Sequence, residues 1–353
     1  MIKNKLVGTS WLFEIYFYIC LMNLQSFHSE SKIPKYKQLV ASIEASIADG
    51  SLKKDDQLPS LNVIKDRFSV SRDTVLTAFN ELKNRGIINS VVGKGYYVAS
   101  ENVAIQQKIF VLFDELNSFK EDLYNAFLEQ LSSNIQVEIY FHHFNIQTFN
   151  NLILNNVGNY SYYVIMPANL DNAHKAISNL PVDKVYILDQ TNEQLSQYPA
   201  IYQNFEKNVY DGLQEGLALV KKYKKLVLMF DENSQPVGIL KGFTNFCNDQ
   251  ELSYIVLPSL KECIPRKGEV YVILDDKNLI RIIKKIKEAS LEIAKDVGII
   301  SYNDTLLKEV VADGITTIST DFSFMGTKLA SMILDNSQEK IENPSKLIIR
   351  KSV

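Results

Sequence analysis

The sequence predicts two unlike parts: a small α+β unit of helices and a hairpin, then a larger α/β unit of two parallel-sheet halves. Three observations carry this. Between Pro34 and Gly86 apolar residues recur at helical spacing and a glycine-tipped hairpin follows. From Lys108 onward short apolar runs alternate with helical stretches. The charge also divides: from Ser31 to Ser100 eleven Lys/Arg stand against seven Asp/Glu, net +4, while the chain from Glu101 onward is net −7. A basic front joined to an acidic rear suits a nucleic-acid module fused to something else. A length of 353 residues supports two or three domains, and 46% apolar residues is ordinary for a globular chain.

In the front unit, Leu39, Ile43 and Ile47 recur at i, i+4 and i+8, and Gly50 stops that helix. "SLKKDDQLP" is a polar connector. Ser60 caps a short helix through about Phe68, with Leu61, Ile64 and Phe68 inward. "SVS" makes a tight turn and Ser71 caps the next helix, on which Val75, Ala78, Phe79 and Leu82 share a face before Gly86 ends it. Ile87–Ile88 and Tyr96–Val98 are β-prone around Gly93-Lys94-Gly95. That order is a winged helix-turn-helix over 32–100, whose second turn helix ordinarily enters the major groove. Residues 101–107 read as a linker to the unit at 108–353.

In the rear unit strands are expected at Ile109–Phe113, Val137–Phe141, Tyr162–Met166, Lys184–Leu188, Leu226–Phe230, Tyr254–Val256, Glu269–Leu274 and Gly298–Ser301. Helices are expected at 121–133, 206–223, 237–250 and 277–290. This alternation indicates parallel sheets covered on both faces, in two Rossmann-like subdomains with a ligand cleft outside the carboxyl ends of the strands.

Several classes are set aside. Cys20, Cys247 and Cys263 are too scattered for a disulfide framework or a metal site, and a reducing cytoplasm is the simplest home. The His142–His143 pair has no further ligand at metal spacing. "WLFEIYFYICLM" is too short to span a bilayer and contains Glu14. Residues 1–31 are therefore read as an extension, a disordered tail or, for residues 1–21, a stretch ahead of a natural start at Met22, with a packed or partner-binding segment and a membrane or secretion role as the lesser alternatives. No G-x-S-x-G, H-E-x-x-H or Walker loop occurs, so no catalytic set, metal or cofactor is expected and the chain is read as no enzyme.

The run Leu58-Pro59-Ser60, Val70-Ser71-Arg72, Thr74-Val75, Ala78, Leu82, Arg85-Gly86 and Gly93-Lys94-Gly95 with Val98 resembles the GntR family of bacterial transcription regulators. The resemblance implies that Arg72 reads a base edge and that Ser71 and Thr74 bond phosphate. It implies that Gly93 and Lys94 form the wing contact, with Ser60, Asn62 and Asp73 on the same surface. The chain departs from that pattern at Leu61-Asn62, where the family commonly has Glu-Arg, and at Leu76, where it commonly has Arg. Lys35, Lys37, Lys53, Lys54 and Lys65 are candidate replacements for the missing cations. The stretch "DVGIISYNDTLLKEVVADGITTISTDFSFMGTKLASMILD" is similar to the closing segment of LacI-type regulators and periplasmic sugar-binding proteins, through Val297-Gly298, Asp304, Thr316-Thr317-Ile318, Gly326 and Ala330. Asp189 and Gly242-Phe243 fit the same order, whereas Ile239 stands where that family has a sugar-binding Arg.

The cleft expected on that fold nominates Asp114, Asn117, Asp189, Gln235, Asp275 and Asn303 as effector-binding, since each follows a strand or lies in the 231–236 loop. Carboxylates and amides suit vicinal hydroxyls, and Phe119, Phe205 and Tyr302 offer rings for stacking. Each of these polar residues has an ordinary alternative as a helix cap or loop residue. Asp276 and Asp304 are read as caps or structural bonds. No Lys/Arg cluster follows the strands, which argues against a phosphorylated effector. The expectation is a cytoplasmic homodimeric repressor that binds an inverted repeat in double-stranded operator DNA, answers to a monosaccharide or derivative, and has no membrane partner. The alternative is a sugar-binding sensor acting without DNA, held at a membrane by residues 1–21.

Overall fold

The computed structural model describes residues 33–353 apart from Asn233 and Glu262. The readings made on residues 1–31, including Met22 and Cys20, lie outside the described residues.

The front unit holds helices α1 (Lys35–Ala48), α2 (Leu61–Phe68) and α3 (Arg72–Asn84) and strands β1 (Ile88–Val91) and β2 (Gly95–Val98). β1 and β2 pair antiparallel from Ile88 opposite Val98 to Val91 opposite Gly95. The helical stripes meet in one core, where Leu39, Ile43, Ile64, Val75, Phe79 and Leu82 are fully buried. Helix starts are set as the sequence indicates: the Ser60 Oγ accepts from the Val63 N–H at 3.4 Å and the Ser71 Oγ from the Thr74 N–H at 3.1 Å. The stretch after the hairpin is strapped down. Arg85 donates to the carbonyls of Ile105 (2.9 Å) and Val103 (3.2 Å) and pairs with Glu44, while Val103 packs against the front core.

The rear unit has two six-stranded sheets. The first contains β3 (Gln107–Phe113), β4 (Ile135–Phe141), β5 (Tyr162–Ile165), β6 (Val185–Asp189), β7 (Ala200–Tyr202) and β13 (Lys340–Glu342), in the order β13-β7-β6-β5-β3-β4, all parallel. The second contains β8 (Lys225–Met229), β9 (Tyr254–Leu257), β10 (Glu269–Ile273), β11 (Gly298–Tyr302), β12 (Thr316–Thr320) and β14 (Ser345–Ile348), in the order β14-β12-β11-β10-β8-β9. Only β14, on β12, runs antiparallel. The central strands are buried on both faces, so they read as continuous apolar runs.

The chain crosses between halves three times: from β7 to β8, from β12 to β13, and from β13 to β14. The crossings lie side by side. The Asn343 N–H donates to the Tyr202 carbonyl at 2.8 Å, its Nδ2 to the Asp321 carbonyl at 3.0 Å, and the Asp321 N–H to the Pro344 carbonyl at 3.0 Å.

The eight expected strands are present to within two residues of their expected ends. β12 carries the Thr316-Thr317-Ile318 run that the resemblance points to, while β7, β13 and β14 were not expected. They are three or four residues long, and β13 is a Lys-Ile-Glu edge strand without an apolar run. The helix expected at 121–133 is α4 (Ser118–Glu129), because the Asn117 side chain caps it by accepting from the Lys120 N–H at 3.1 Å. The helix expected at 206–223 divides at Gly216 into α5 (Phe205–Glu215) and α6 (Leu217–Val220).

Each half is sealed by a helix pair in tight contact. In the second half, α7 (Val237–Asp249) crosses α5 at Gly242, where an added Cβ would lie 2.2 Å from the Glu206 carbonyl oxygen. In the first half, α8 (Phe322–Leu334) crosses α4 at Gly326, where a Cβ would lie 2.2 Å from the Leu123 oxygen and 2.9 Å from the Phe127 nitrogen. Backbone cannot yield as a side-chain tip can. Gly326→Ala is therefore expected to destabilise by about 1–3 kcal/mol despite alanine's better helix propensity, measured by urea denaturation. An unchanged midpoint would contradict the close approach.

The C-terminal tail is held by Arg350, whose guanidinium grips Asp304 bidentately at 2.6 and 2.7 Å. Burial pushes the Asp304 carboxyl up, but Arg350 and the Thr317 hydroxyl outweigh it and hold the group below its usual range. A carboxylate with a lowered folded-state pKa contributes stability above its unfolded pKa of about 3.9 and loses it as pH falls through the folded value. Asp304→Asn should cost about 1–3 kcal/mol at neutral pH, and that cost should shrink steadily below about pH 4. Thermal melts of both proteins across pH 2.5–7 check this; a difference independent of pH would refute it.

Candidate functional site

Two surfaces gather the residues the sequence nominated. On the front unit Ser71, Arg72 and Asp73 form an exposed first turn of α3, and Ser60 and Asn62 are exposed at the start of α2. Thr74 is half-buried and its Oγ1 lies 2.8 Å from the Ser71 Oγ, so both hydroxyls take part in the cap. No ion pair holds Arg72 among the described residues, which leaves its guanidinium for an external partner. Gly93, at φ +73°, and exposed Lys94 form the wing tip, pinned by the Gln57 Nε2 donating to the Lys94 carbonyl at 2.7 Å. Val92 beside them is 100% exposed, an apolar tip that sequence reasoning did not single out. Of the five candidate replacement lysines, Lys37 pairs with Glu81 at 3.2 Å and Lys65 with Asp66 at 3.3 Å, while Lys35, Lys53 and Lys54 stay exposed.

The second surface is a cleft of about 350 Å³ between the two sheets. All six nominated residues line it: Asp114, Asn117 and Asp189 from the first half, Gln235, Asp275 and Asn303 from the second. Phe119, Phe205 and Tyr302 line it too, as does Ile239. Parallel strands explain the convergence, since every strand of the alternation delivers its carboxyl end to the same side.

Each polar group has a definite setting. Asp114 is buried and ion-paired with the buried Lys120. Asp189 is 6% exposed, at φ +73°, and its Oδ1 accepts from the Gln203 Nε2 at 2.5 Å. Burial raises its carboxyl above the usual range. Asn303 is 6% exposed, at φ +58°, and its Oδ1 is buried without a hydrogen-bond partner. Two non-glycine residues in the left-handed region at facing strand ends are the kind of local strain that collects at ligand sites. Gln235 accepts from the Asp231 N–H at 2.8 Å through its side chain and from the Asn169 Nδ2 at 2.9 Å through its carbonyl, a bond across the cleft mouth.

Asn117 and Asp275 carry a second duty. Asn117 caps α4, and Asp275 caps α9 (Asp276–Glu288) by accepting from the Asn278 N–H at 2.8 Å. Asp276, read as a cap or a structural bond, makes the bond: it pairs with Lys308 at 3.1 Å. Asp304 forms structural bonds, as read.

Sequence reasoning missed Lys120, Lys308 and Gln203. Lys308 is 1% exposed and its Nζ donates to the carbonyls of Tyr302 (2.9 Å) and Asn303 (2.7 Å), which braces the strained turn. Burial pushes its ammonium pKa down, against the opposing pull of Asp276. Gln203 follows β7, a strand too short to be read, and so went unnoticed. The lysines lie in stretches that look like exposed helix, and nothing local signals their burial.

Residues 35–98 match the family described as bacterial regulatory proteins, gntR family, and residues 244–353 match the periplasmic binding protein-like domain. The mannosyl-D-glycerate transport/metabolism system repressor MngR of Escherichia coli K12 is 35% identical over 106 residues, which cover 30% of this chain and 42% of that protein. The arabinose metabolism transcriptional repressor of Geobacillus stearothermophilus is 36% identical over 70 residues, covering 20% of this chain and 19% of that one. The chain thus spans less than half the length of these relatives. Among solved structures, a Lac repressor bound to ONPG superposes with a TM-score of 0.59 at 18% identity, over 84% of this chain and 96% of that one. A LacI family regulator from Enterococcus faecium with bound ribose gives 0.58 at 18%, over 70% and 98%. The chain joins a gntR-family helix-turn-helix domain to an α/β unit of the LacI-like periplasmic-binding-protein fold.

Proposed function

We propose that this protein is a transcription regulator whose hold on operator DNA is set by a small sugar or polyol bound in the cleft. The observation that carries this is the pairing of an exposed Arg72, unpaired among the described residues, in the first turn of α3 with a cleft lined by six polar residues from strand ends and the loops after them in the same chain. In the major groove Arg72 has the length and fork to bind guanine O6 and N7. Ser71, Asp73, Ser60 and Asn62 flank it, the α3 amides and Thr74 face phosphate, and Lys94 and Gly93 bring the wing to the adjacent groove. With Asn62 and Leu76 at positions commonly held by arginine, few cations share the work. In the cleft Asp114, Asn117, Asp189, Gln235, Asp275 and Asn303 supply acceptors and amides for hydroxyls, and the rings of Phe119 and Phe205 supply apolar faces.

The relatives named as repressors of mannosylglycerate and arabinose metabolism, and the neighbour holding ribose, support repression relieved by a sugar. A homodimer on an inverted repeat fits the helix-turn-helix, because two half-sites match a two-fold axis. Leu306 and Val310, 82% and 75% exposed on one short helix, offer apolar surface for such a partner. Among the described residues no helix is long and apolar enough to cross a membrane.

Operator selection from a random double-stranded library, followed by gel-shift titration, tests the reading. The selected site should be an inverted repeat. Arg72→Ala should weaken binding to it by about 1–3 kcal/mol and relax preference at one base pair in each half-site. Retention of full affinity and specificity by that variant would rule out the assigned readout.

A further inference from the structure

The charges around the cleft do not balance. Asp114, Glu115, Asp189, Asp275 and Asp276 line it against only Lys120 and Lys308. Both lysines already face carboxylates. Lys120 is tied to Asp114 and lies within electrostatic reach of Asp189. The three ammonium protons of Lys308 are met by the Tyr302 carbonyl, the Asn303 carbonyl and the Asp276 carboxylate. Asp189, Glu115 and Asp275 have no ion-pair partner among the described residues. The Asn303 Oδ1, 94% of whose residue is buried, is a further acceptor with nothing donating to it.

A ligand that enters here meets more carboxyl groups than ammonium groups, and an open acceptor. It finds no lysine free to take a phosphate or carboxylate, and an anion would be repelled in a partly desolvated site. A hydroxyl can donate to Asn303, but it leaves the carboxylate excess standing. A cation cancels it.

Resting on the reading of the cleft as the effector site, we infer that the effector carries a protonated amine. It is an amino sugar or amino polyol, with its ammonium beside Asp189 and its hydroxyls reaching Asn303. Asp189 sits at the end of β6 and Asn303 at the end of β11, so one ligand bonded to both spans the halves. Gln203 links their surroundings on the inner side, through Asp189 at 2.5 Å and Tyr302 at 3.2 Å. The ligand would do the same on the outer side, and only where the halves are close. Glu115, exposed at the rim, favours entry of a cation.

Calorimetric titration of the full chain with four matched series tests this. Each series comprises a hexosamine (D-glucosamine, D-galactosamine or D-mannosamine) or an amino polyol (D-glucamine), its hydroxyl parent, the corresponding aldonic or uronic acid, and the 6-phosphate. The expected result is that an amine binds at least about tenfold more tightly than its parent, and the anions more weakly than the parent. Asp189→Asn should bring amine and parent to within about threefold of each other. If that variant does not fold, Glu115→Gln at the exposed rim should reduce the amine preference about twofold. A parent sugar or a 6-phosphate that binds as tightly as its amine overturns the charge assignment but leaves the cleft as a sugar site. No heat from any member at millimolar concentration overturns both.

Discussion

One buried amide joins the two halves of the α/β unit. Gln203 follows β7, where the chain first leaves the first sheet. Its Nε2 donates to Asp189, and its Oε1 accepts from the Tyr302 hydroxyl at 3.2 Å and the Thr320 hydroxyl at 2.6 Å. Asp189 belongs to the first half, and Tyr302 and Thr320 end strands of the second. An amide satisfied at both ends holds geometry well, because shifting either half strands a buried polar group. The cleft opens directly outside this network, so its shape depends on the same bonds. Asp189 takes part in both, which makes it the residue where occupation of the cleft and the set of the hinge meet.

Beyond that network, the bonded crossings and the Asn169–Gln235 bond at the cleft mouth, each half packs around its own sheet. Each borrows a sealing helix from across the hinge. α8, reached from the second sheet, closes on α4 of the first; α5, reached from the first sheet, closes on α7 of the second. The glycines at these contacts, Gly326 and Gly242, let backbone meet backbone. Rigid halves with three short adjacent crossings favour motion as a rotation of one body against the other rather than a diffuse deformation.

Much of this was legible in the sequence for a simple reason. Buried parallel strands must be apolar throughout, and their carboxyl ends must converge, so Asp114, Asp189, Asp275 and Asn303 could be nominated by position alone. The front helices were equally plain, because Val75, Phe79 and Leu82 have no other face to take. What was not legible depends on partners distant in sequence. Lys120 and Lys308 look like ordinary surface lysines until Asp114 and Asp276 are placed beside them. Gln203 required a three-residue strand that leaves almost no periodicity. That Asp275 also caps a helix turned on a single residue of helix boundary.

The position of the front unit constrains how the proposed coupling works. Its contacts with the first half lie at the amino ends of the strands: the Ser161 hydroxyl donates to the Asn84 carbonyl at 3.3 Å, and Gly86 packs against the Lys108 side chain. The cleft lies at the carboxyl ends of the same strands. A ligand therefore never touches the helix-turn-helix, and the full depth of a rigid sheet stands between them. The contact itself is loose, with a hollow of about 600 Å³ between α1, α3 and the sheet edge. Arg85 and its strap of Val103 and Ile105 carbonyls are the firmer attachment, and they fix the head to its own linker rather than to the cleft. Under these constraints a ligand can act on DNA only by moving whole bodies. On the proposed reading, rotation of the halves would carry each head with it, and in a dimer on an inverted repeat that rotation would change the spacing between two recognition helices. On that reading the coupling free energy between cleft and operator is the same whichever site is filled first.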